Sequence, residues 1–240
     1  RVRSYSYRVV FMYLGQILFF SMPLLPLFPS NEYTPEMLRY AAIFGGILMA
    51  IGLAFNYICA PDGEHISTKS KDNFITVWRS IISNNPLLLF LTTYAAVGFG
   101  YGMWAGLVFV YLDGYLDLGG EIAQIFLLGN VAGLLSIPLW SHAVDRTDKN
   151  TVWGAGMLLN ALLITGCFFI KPGMSWIFSL ICVGGTSVTL AGMTLAASAI
   201  LADISDYGIL KYSRNRAATY FALLTLSLKI TMGIGGAIAL

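Results

Sequence analysis

Charged residues are scarce in this chain, and their scarcity excludes a soluble globular fold. Only 11% of the 240 residues are Asp, Glu, Lys or Arg, whereas 57% are hydrophobic. Soluble domains carry about 25% charged residues. A protein of this length cannot bury so much apolar surface in its own interior, so the lipid bilayer must solvate most of it. The net charge is only +2 and the basic residues are scattered, which excludes the concentrated basic face of a nucleic-acid-binding protein.

Motifs of enzymes and metal sites are also missing. His65 and His142 have no second ligand at a metal-binding spacing, and the chain contains no Gly-x-Ser-x-Gly elbow. Cys59, Cys167 and Cys182 lie singly in apolar stretches, where we interpret them as small buried hydrophobic residues. The sequence therefore predicts no enzyme, no cofactor and no metal site.

The two ends of the chain carry no processing signals. Arg1 opens the sequence without a signal-peptide pattern, and Leu240 closes it inside an apolar run. We therefore expect an internal fragment of a longer protein.

Seven apolar stretches are long enough to cross the hydrocarbon core as helices. We predict them at about 8–28, 36–59, 86–112, 121–141, 152–170, 175–201 and 217–240. Thr34 before Pro35, Asn85 before Pro86, and Ser175 are the expected N-cap residues. The predicted fold class is an all-α integral membrane protein.

Basic residues fall on alternate sides of these spans. They concentrate at the N-terminus and in the loops at 60–85, 142–151 and 202–216, whereas the opposite loops hold only Arg39 and Lys171. The positive-inside rule places the basic segments in the cytoplasm. We expect a multi-pass protein of the cell membrane, inner or plasma.

The longest loop, residues 60–85, separates two spans from five and predicts a boundary between two helical bundles at 1–59 and 86–240. In its second half, apolar residues recur at helical spacing. These are Phe74, Val77, Trp78, Ile81 and Ile82. We interpret this part as an amphipathic helix on the cytoplasmic surface.

Glycines recur at four-residue spacing within the spans. Gly102 and Gly106 form one Gly-x-x-x-Gly motif, and Gly129 and Gly133 form another. Small residues at this spacing allow helices to approach closely in a membrane. We predict helix contacts at both motifs.

Lys229 is the one charge deep inside the last span. It lies about 12 residues from the start of that span, or roughly 18 Å at the helical rise. Thr225 lies one turn earlier on the same face. A charge at this depth usually faces a polar cavity and marks the path of a solute or an ion.

Two polar segments border the cytoplasmic ends of spans. Asp145 and Arg146 lie between spans four and five, either as part of a solvated turn or as a gate latch. As a latch, Asp145 would cap a neighbouring helix and Arg146 would pair with a carboxylate at another helix end. Asp203 and Asp206 supply two carboxylates just before the last span.

Several of these features occur together in one known family. The segment Ala202-Asp-Ile-Ser-Asp-Tyr-Gly208, followed by Lys229 twenty-three residues after Asp206, resembles the glycoside–pentoside–hexuronide:cation symporters. This family is the melibiose-permease-like branch of the major facilitator superfamily. Arg8 followed by Gly15 resembles the start of its fifth helix, Asn85-Pro86 resembles the start of its seventh, and Asp145-Arg146 resembles the signature between its eighth and ninth.

The resemblance covers essentially the whole chain and implies a partial major-facilitator-type bundle of seven helices, the fifth to eleventh of twelve. Residues 1–59 would be the last two helices of the N-terminal bundle, and 86–240 five helices of the C-terminal bundle, whose last helix is missing. The sugar would lie between the bundles, with the carboxylates that bind the coupling cation in the absent helices. No metal site would fall in this fragment.

The resemblance also implies roles for single residues. Arg8 would contact the sugar, Thr225 would line the cavity, and Lys229 would lie near the cation and sugar sites. The implied gating residues are Asp145, Arg146, Asp203, Asp206, Tyr207 and Arg216.

The sequence departs from the family at two places. Asn215 and Ala217 stand where the family has an Arg-x-Glu pair, and Thr194 stands where the permease has a tryptophan that stacks on sugar. Both departures bear on the identity of the solute.

The expected function is cation-coupled symport of a sugar or sugar-like solute by alternating access. Na⁺ or H⁺ would be the coupling ion, and the lipid bilayer the surrounding partner. The alternatives are a carrier of lipid-like or sulfonated solutes, a non-transporting scaffold or sensor on the same fold, and a membrane enzyme. A polar cavity at Lys229 favours transport, an apolar bundle centre favours a scaffold, and a His and acid cluster would favour an enzyme.

Overall fold

Long helices account for most of the fold. A computed structural model describes residues 2–28, 31–59, 78, 81–212 and 216–240. The long helices are α1 (Val2–Ser21), α2 (Pro35–Cys59), α3 (Asn85–Val110), α4 (Ile122–Arg146), α5 (Lys149–Gly166), α6 (Gly185–Tyr212) and α7 (Ala217–Ala239). In the described part of the chain, seven helical segments are long and apolar enough to cross a membrane, which confirms the predicted number of spans.

Short irregular turns extend five of these helices, among them α4, preceded by Gly119–Glu121, and α5, followed by Cys167–Phe169. A 3₁₀ turn at Met22–Leu24 follows α1, and a π-helical turn at Tyr111–Tyr115 follows α3. The segments Trp176–Ser179 and Leu180–Gly184 lead directly into α6. The sixth span is longer than the hydrophobic run predicts because α6 continues to Tyr212.

Two of the predicted N-caps are present. The Thr34 hydroxyl accepts a hydrogen bond from the Met37 N–H at 3.2 Å, and the Ser175 hydroxyl accepts one from the Ile177 N–H at 3.4 Å. Each satisfies a backbone donor that has no partner inside the helix. These side chains fix the starts of α2 and of the sixth span.

The third cap prediction was wrong by one residue, because Asn84 and not Asn85 caps α3. The side-chain amide oxygen of Asn84 accepts a hydrogen bond from the Leu87 N–H at 3.3 Å. The side-chain amide nitrogen donates one to the Tyr220 hydroxyl at 3.4 Å. Asn84 is fully buried. Asn84 therefore joins the start of α3 to the start of α7. This second contact favours Asn84 over Asn85 as the cap.

Two of the predicted loops are largely helical. α4 continues to Arg146 and α6 to Tyr212, whereas the sequence predicted loops at 142–151 and 202–216. The extensions pack against other helices: Val144 and Ile204 are buried. This apolar burial on one face keeps the polar ends helical although charges occupy the other face.

Both glycine motifs lie at close helix contacts. A Cβ added to Gly102 in α3 would lie 2.2 Å from the Met232 carbonyl oxygen of α7. A Cβ added to Gly129 in α4 would lie 2.5 Å from the Gly184 Cα ahead of α6. The predicted small-residue contacts are confirmed, and they hold α3 against α7 and α4 against the sixth span.

The first two helices pack very differently. α1 lies against α4 and α6; its Tyr13 is fully buried and donates a hydrogen bond to the Ser187 carbonyl. α2 is exposed along nearly its whole length, with Met37 its buried residue. The predicted division into two bundles stays a prediction, and the predicted amphipathic helix at 74–82 lies mostly outside the described residues.

Candidate functional site

The N-terminal ends of α1 and α7 meet through two aromatic rings. Tyr5 and Phe221 stack with their ring centroids 6.1 Å apart and an interplanar angle of 26°. Both residues lie close to the starts of their helices. Their contact joins α1 to α7 at the end that carries the basic segments.

Predicted solute-binding residues lie one to two turns beyond this contact. Arg8 follows Tyr5 by three residues on α1, and Thr225 and Lys229 follow Phe221 by four and eight residues on α7. Residues at these spacings share a face of a helix. Arg8, Thr225 and Lys229 therefore form two exposed stripes that both begin at the stacked rings.

Lys229 lies on the face of α7 that turns away from α3. The opposite face buries Leu224 and Gly235, and Gly235 approaches the Phe99 carbonyl of α3. Within the described part of the chain, the Lys229 ammonium has no hydrogen bond or ion pair. The Thr225 hydroxyl donates to the Phe221 carbonyl at 3.0 Å, so its oxygen remains free to accept a further hydrogen bond.

Arg8 lies on α1 one turn beyond Tyr5, and its side chain is exposed. Among the described residues it has no hydrogen bond or ion pair. Its contact with a sugar at the boundary between the bundles stays a prediction.

Thr194 provides no aromatic surface, but an indole from the neighbouring helix packs against Gly192, two residues before it. Thr194 is half-buried on α6, and its carbonyl accepts the Ser198 hydroxyl at 2.9 Å. Trp140 of α4 lies flat against Gly192, where a Cβ would come within 2.2 Å of the ring, and donates to the Val188 carbonyl at 2.8 Å. Sequence reasoning missed Trp140, although a glycine in the middle of α6 is a signal for such a close approach.

Asp148, and not the neighbouring Asp145, caps the start of α5. The Asp148 carboxylate accepts the Thr151 N–H at 3.0 Å, because α5 starts at Lys149 and only the preceding residue reaches its first turn. Asp145 and Arg146 are exposed, and neither has a side-chain hydrogen bond or ion pair among the described residues. Their role as a gate latch stays a prediction.

An ion pair that the sequence did not predict joins α5 to α6. The Lys149 ammonium lies 2.7 Å and 2.5 Å from the two Asp203 carboxylate oxygens. The side chains are 31% and 58% exposed, so solvent screens the pair and its contribution to stability is small. The pair borders an open cleft of about 540 Å³ between α3, α5 and α6, which Trp153 and Tyr207 also line.

Other predicted gating residues lie at the same end of the molecule. The Lys211 ammonium lies 5.7 Å from the centroid of the Tyr207 ring and 3.3 Å from the Ser83 carbonyl oxygen. Asp206 and Arg216 also make contacts within the structure. Polar side chains at this end of the bundle therefore make several contacts, and the gating role of these residues stays a prediction.

No site for a bound metal appears in the described ranges. Among residues 2–28, 31–59, 81–212 and 216–240, no three His, Cys, Asp or Glu side chains are grouped as metal ligands would be.

Seven membrane-length helices in the described part of the chain, joined by small-residue contacts, define a multi-pass membrane protein. The chain belongs to the MFS/sugar transport protein family, whose model matches residues 1–240. This match confirms the resemblance inferred from the sequence at the level of a sugar-symporter-like family.

A curated relative agrees with this assignment. The chain is 23% identical over 235 residues to a protein of Bacillus subtilis (strain 168) described as "Uncharacterized symporter YjmB". The alignment covers 93% of this chain and 49% of the relative, so the chain spans about half the length of that protein. No solved structure matches the chain.

Proposed function

We propose that the protein is a secondary active transporter that carries a sugar or sugar-like solute by alternating access, coupled to Na⁺ or H⁺. The main support is the arrangement of Arg8, Thr225 and Lys229 on two stripes that start at one contact between α1 and α7. A lysine and an arginine within membrane-length helices, neither paired with a carboxylate among the described residues, suit a polar solute path. The family match and the symporter relative support the same class of function.

The proposed solute site is formed by residues of two helices, α1 and α7. Arg8 would bind solute hydroxyls through its several N–H donors, and Thr225 would accept or donate a hydrogen bond one turn beyond the Tyr5–Phe221 contact. Lys229, one turn deeper, would link the solute to the coupling ion. Its carboxylate partners would come from helices outside this chain, as the family resemblance implies.

A sulfonated sugar is the second candidate solute. Arg8 and Lys229 carry two positive charges, and neither has an ion pair with a carboxylate among the described residues. Two cations without carboxylate partners at one solute site would bind an anionic group more tightly than a neutral sugar. Thr194, which offers no ring for stacking, also weakens the case for a neutral disaccharide.

The proposed orientation places the Tyr5–Phe221 contact on the cytoplasmic side of a cell membrane. The basic segments at the N-terminus, 60–85, 142–151 and 202–216 support it. Asp145, Arg146, Asp203, Asp206, Tyr207 and Arg216 would then border the cytoplasmic gate. The Lys149–Asp203 pair would hold α5 to α6 while that gate opens, because both partners belong to the same predicted bundle.

Uptake into proteoliposomes tests this proposal. The complete protein would be reconstituted and supplied with labelled neutral and sulfonated sugars under an inward Na⁺ or H⁺ gradient. Lys229→Ala should abolish accumulation against a gradient, because it removes the charge that links ion and solute. Lys171→Ala, which removes an exposed lysine from a turn at the other end of the molecule, should leave accumulation unchanged.

Two results would contradict the proposal in different ways. Accumulation by Lys229→Ala at the wild-type level would remove Lys229 from the site and leave transport intact. Failure of the wild-type protein to accumulate any of the sugars under either gradient would reject sugar symport and favour the scaffold or lipid-carrier alternatives.

A further inference from the structure

Five aromatic rings form one connected cluster at the end of the molecule opposite the basic segments. We call it the aromatic layer. Its members are Phe19 and Phe20 of α1, Tyr33 ahead of α2, Phe109 of α3 and Phe126 of α4. Phe19 lies eleven residues beyond Arg8 on α1, or about 17 Å at the helical rise. The layer therefore lies on the far side of the proposed solute site from the Tyr5–Phe221 contact.

Two ring contacts of the layer cross between the predicted bundles. Phe20 stacks on Phe126 with centroids 4.9 Å apart and an angle of 13°. Tyr33 meets Phe109 edge to face at 5.9 Å and 88°. Within each side, Phe19 stacks on Tyr33 at 6.0 Å and Phe109 on Phe126 at 5.3 Å. These are favourable geometries for aromatic pairs, so the layer connects α1, α3 and α4 at this end, with Phe19 and Phe109 partly exposed at 38% and 39%.

Tyr33 is the member of the layer whose burial costs free energy. It precedes α2 and packs against an apolar cluster that includes Val108 and Leu112. Its hydroxyl is buried and has no hydrogen-bond partner among the described residues, and burial raises the pKa of this phenol. A buried hydroxyl without a partner disfavours the state that buries it, so the closed layer carries a penalty that opening would remove.

We propose that the aromatic layer is the gate on the external side of the transporter, and that the Tyr33 hydroxyl keeps this gate easy to reopen. The proposal rests on the proposed transport function, because only a carrier needs two gates. Opening would separate Phe20 from Phe126 and Tyr33 from Phe109, and would hydrate the Tyr33 hydroxyl. The contacts of α3 with α7, and of α4 with α6, would remain.

Chemical labelling from outside tests the gate without any solute. Met12 lies on α1 between Arg8 and the layer and is 39% exposed. Met12→Cys, in the complete protein with its native cysteines replaced, would be exposed to a membrane-impermeant maleimide in right-side-out vesicles. The labelling rate then measures how often the external side opens.

Substitutions in the layer should change this rate in opposite directions. Tyr33→Phe removes the unpaired hydroxyl and keeps the ring, so labelling should slow by about fivefold. Phe126→Ala removes a crossing ring contact, so labelling should accelerate. Phe168→Ala is the matched control, because Phe168 is an 86% exposed ring near the same end that contacts Phe169 and lies outside the layer. It should leave the rate unchanged.

The direction of the Tyr33→Phe effect decides the result. Labelling that is unchanged or faster in Tyr33→Phe, or no faster in Phe126→Ala than in Phe168→Ala, would overturn the gate. Tyr33→Phe keeps the ring packing, so misfolding would not explain a change in the wrong direction. Solute uptake is measured separately, so that the two hypotheses are tested independently. If labelling changes as expected but the protein takes up no solute, transport is rejected and the gate is retained. If the protein takes up solute but labelling does not change as expected, the aromatic layer is rejected as the gate and transport is retained.

Discussion

Replacement of Gly102 by alanine should separate two helices that the bundle needs in contact. A Cβ at this position would lie 2.2 Å from the Met232 carbonyl oxygen and 2.7 Å from its Cα. The obstacle is the main chain of α7, so no side-chain rotation can relieve the clash. To restore a normal contact distance, α3 and α7 would have to move apart by about 1 Å.

The expected loss of stability is about 1–3 kcal/mol, the usual cost of overpacking a tight interface. In a bilayer this loss has little compensation, because close packing and not the hydrophobic effect holds membrane helices together. Gly98, Gly106 and Gly235 also lie on the contact between α3 and α7. A shift at Gly102 would therefore loosen several neighbouring contacts.

Gly100→Ala is the matched control for this measurement. It makes the same chemical change two residues away on α3, where a Cβ would meet nothing within 4 Å. Alanine favours the helix over glycine by up to about 1 kcal/mol. In thermal unfolding of the purified protein in detergent, Gly102→Ala should melt below the wild type and Gly100→Ala at or above it. If the two variants melt together, close packing at Gly102 is not what joins α3 to α7.

Two further predictions concern the turn between α4 and α5 and the orientation of the chain. Asp148→Ala should lower the free energy of unfolding by about 1 kcal/mol, because it removes the cap on the Thr151 N–H. Asp145→Ala, the control, should have little effect. Equal losses of stability in thermal unfolding would contradict the assignment of the cap to Asp148. A cysteine at Thr147 should react with an impermeant maleimide only from the cytoplasmic side, and one at Gly120 only from the external side. The two turns lie at opposite ends of α4, and the positive-inside rule places the basic turn at 142–151 in the cytoplasm. Labelling of both cysteines from the same side would contradict the span count.

The sequence predicted the features that depend on neighbouring residues. Apolar runs of sufficient length predicted the spans, since the bilayer demands helices of that length wherever it solvates the chain. Thr34 and Ser175 act as caps through contacts two to three residues away. The four-residue glycine spacing also predicted close helix contacts, because residues four apart lie on the same face of one helix and so form a local pattern.

Features that depend on a second helix were missed or misplaced. Asn84 rather than Asn85 caps α3 because its amide also reaches Tyr220, which lies 136 residues away. Hydropathy ended the sixth span near residue 201, but α6 continues because burial of Ile204 stabilises its polar end. Lys149 and Asp203, which form an ion pair, are 54 residues apart, and no local pattern connects them.

The contacts of α1 show how the proposed movement would be arranged. One end of α1 contacts α7 through a single ring pair, Tyr5 and Phe221, and the other end belongs to the five-ring aromatic layer. Between these ends Tyr13 is fully buried, and its ring lies where a Cβ on Gly133 would be 2.4 Å away. Its hydroxyl donates to the Ser187 carbonyl, and breaking this hydrogen bond would cost the contact that anchors the middle of α1. Under the proposed alternating access, α1 would therefore turn about Tyr13 so that its two ends open in turn, and the single ring pair would separate more easily than the five-ring layer.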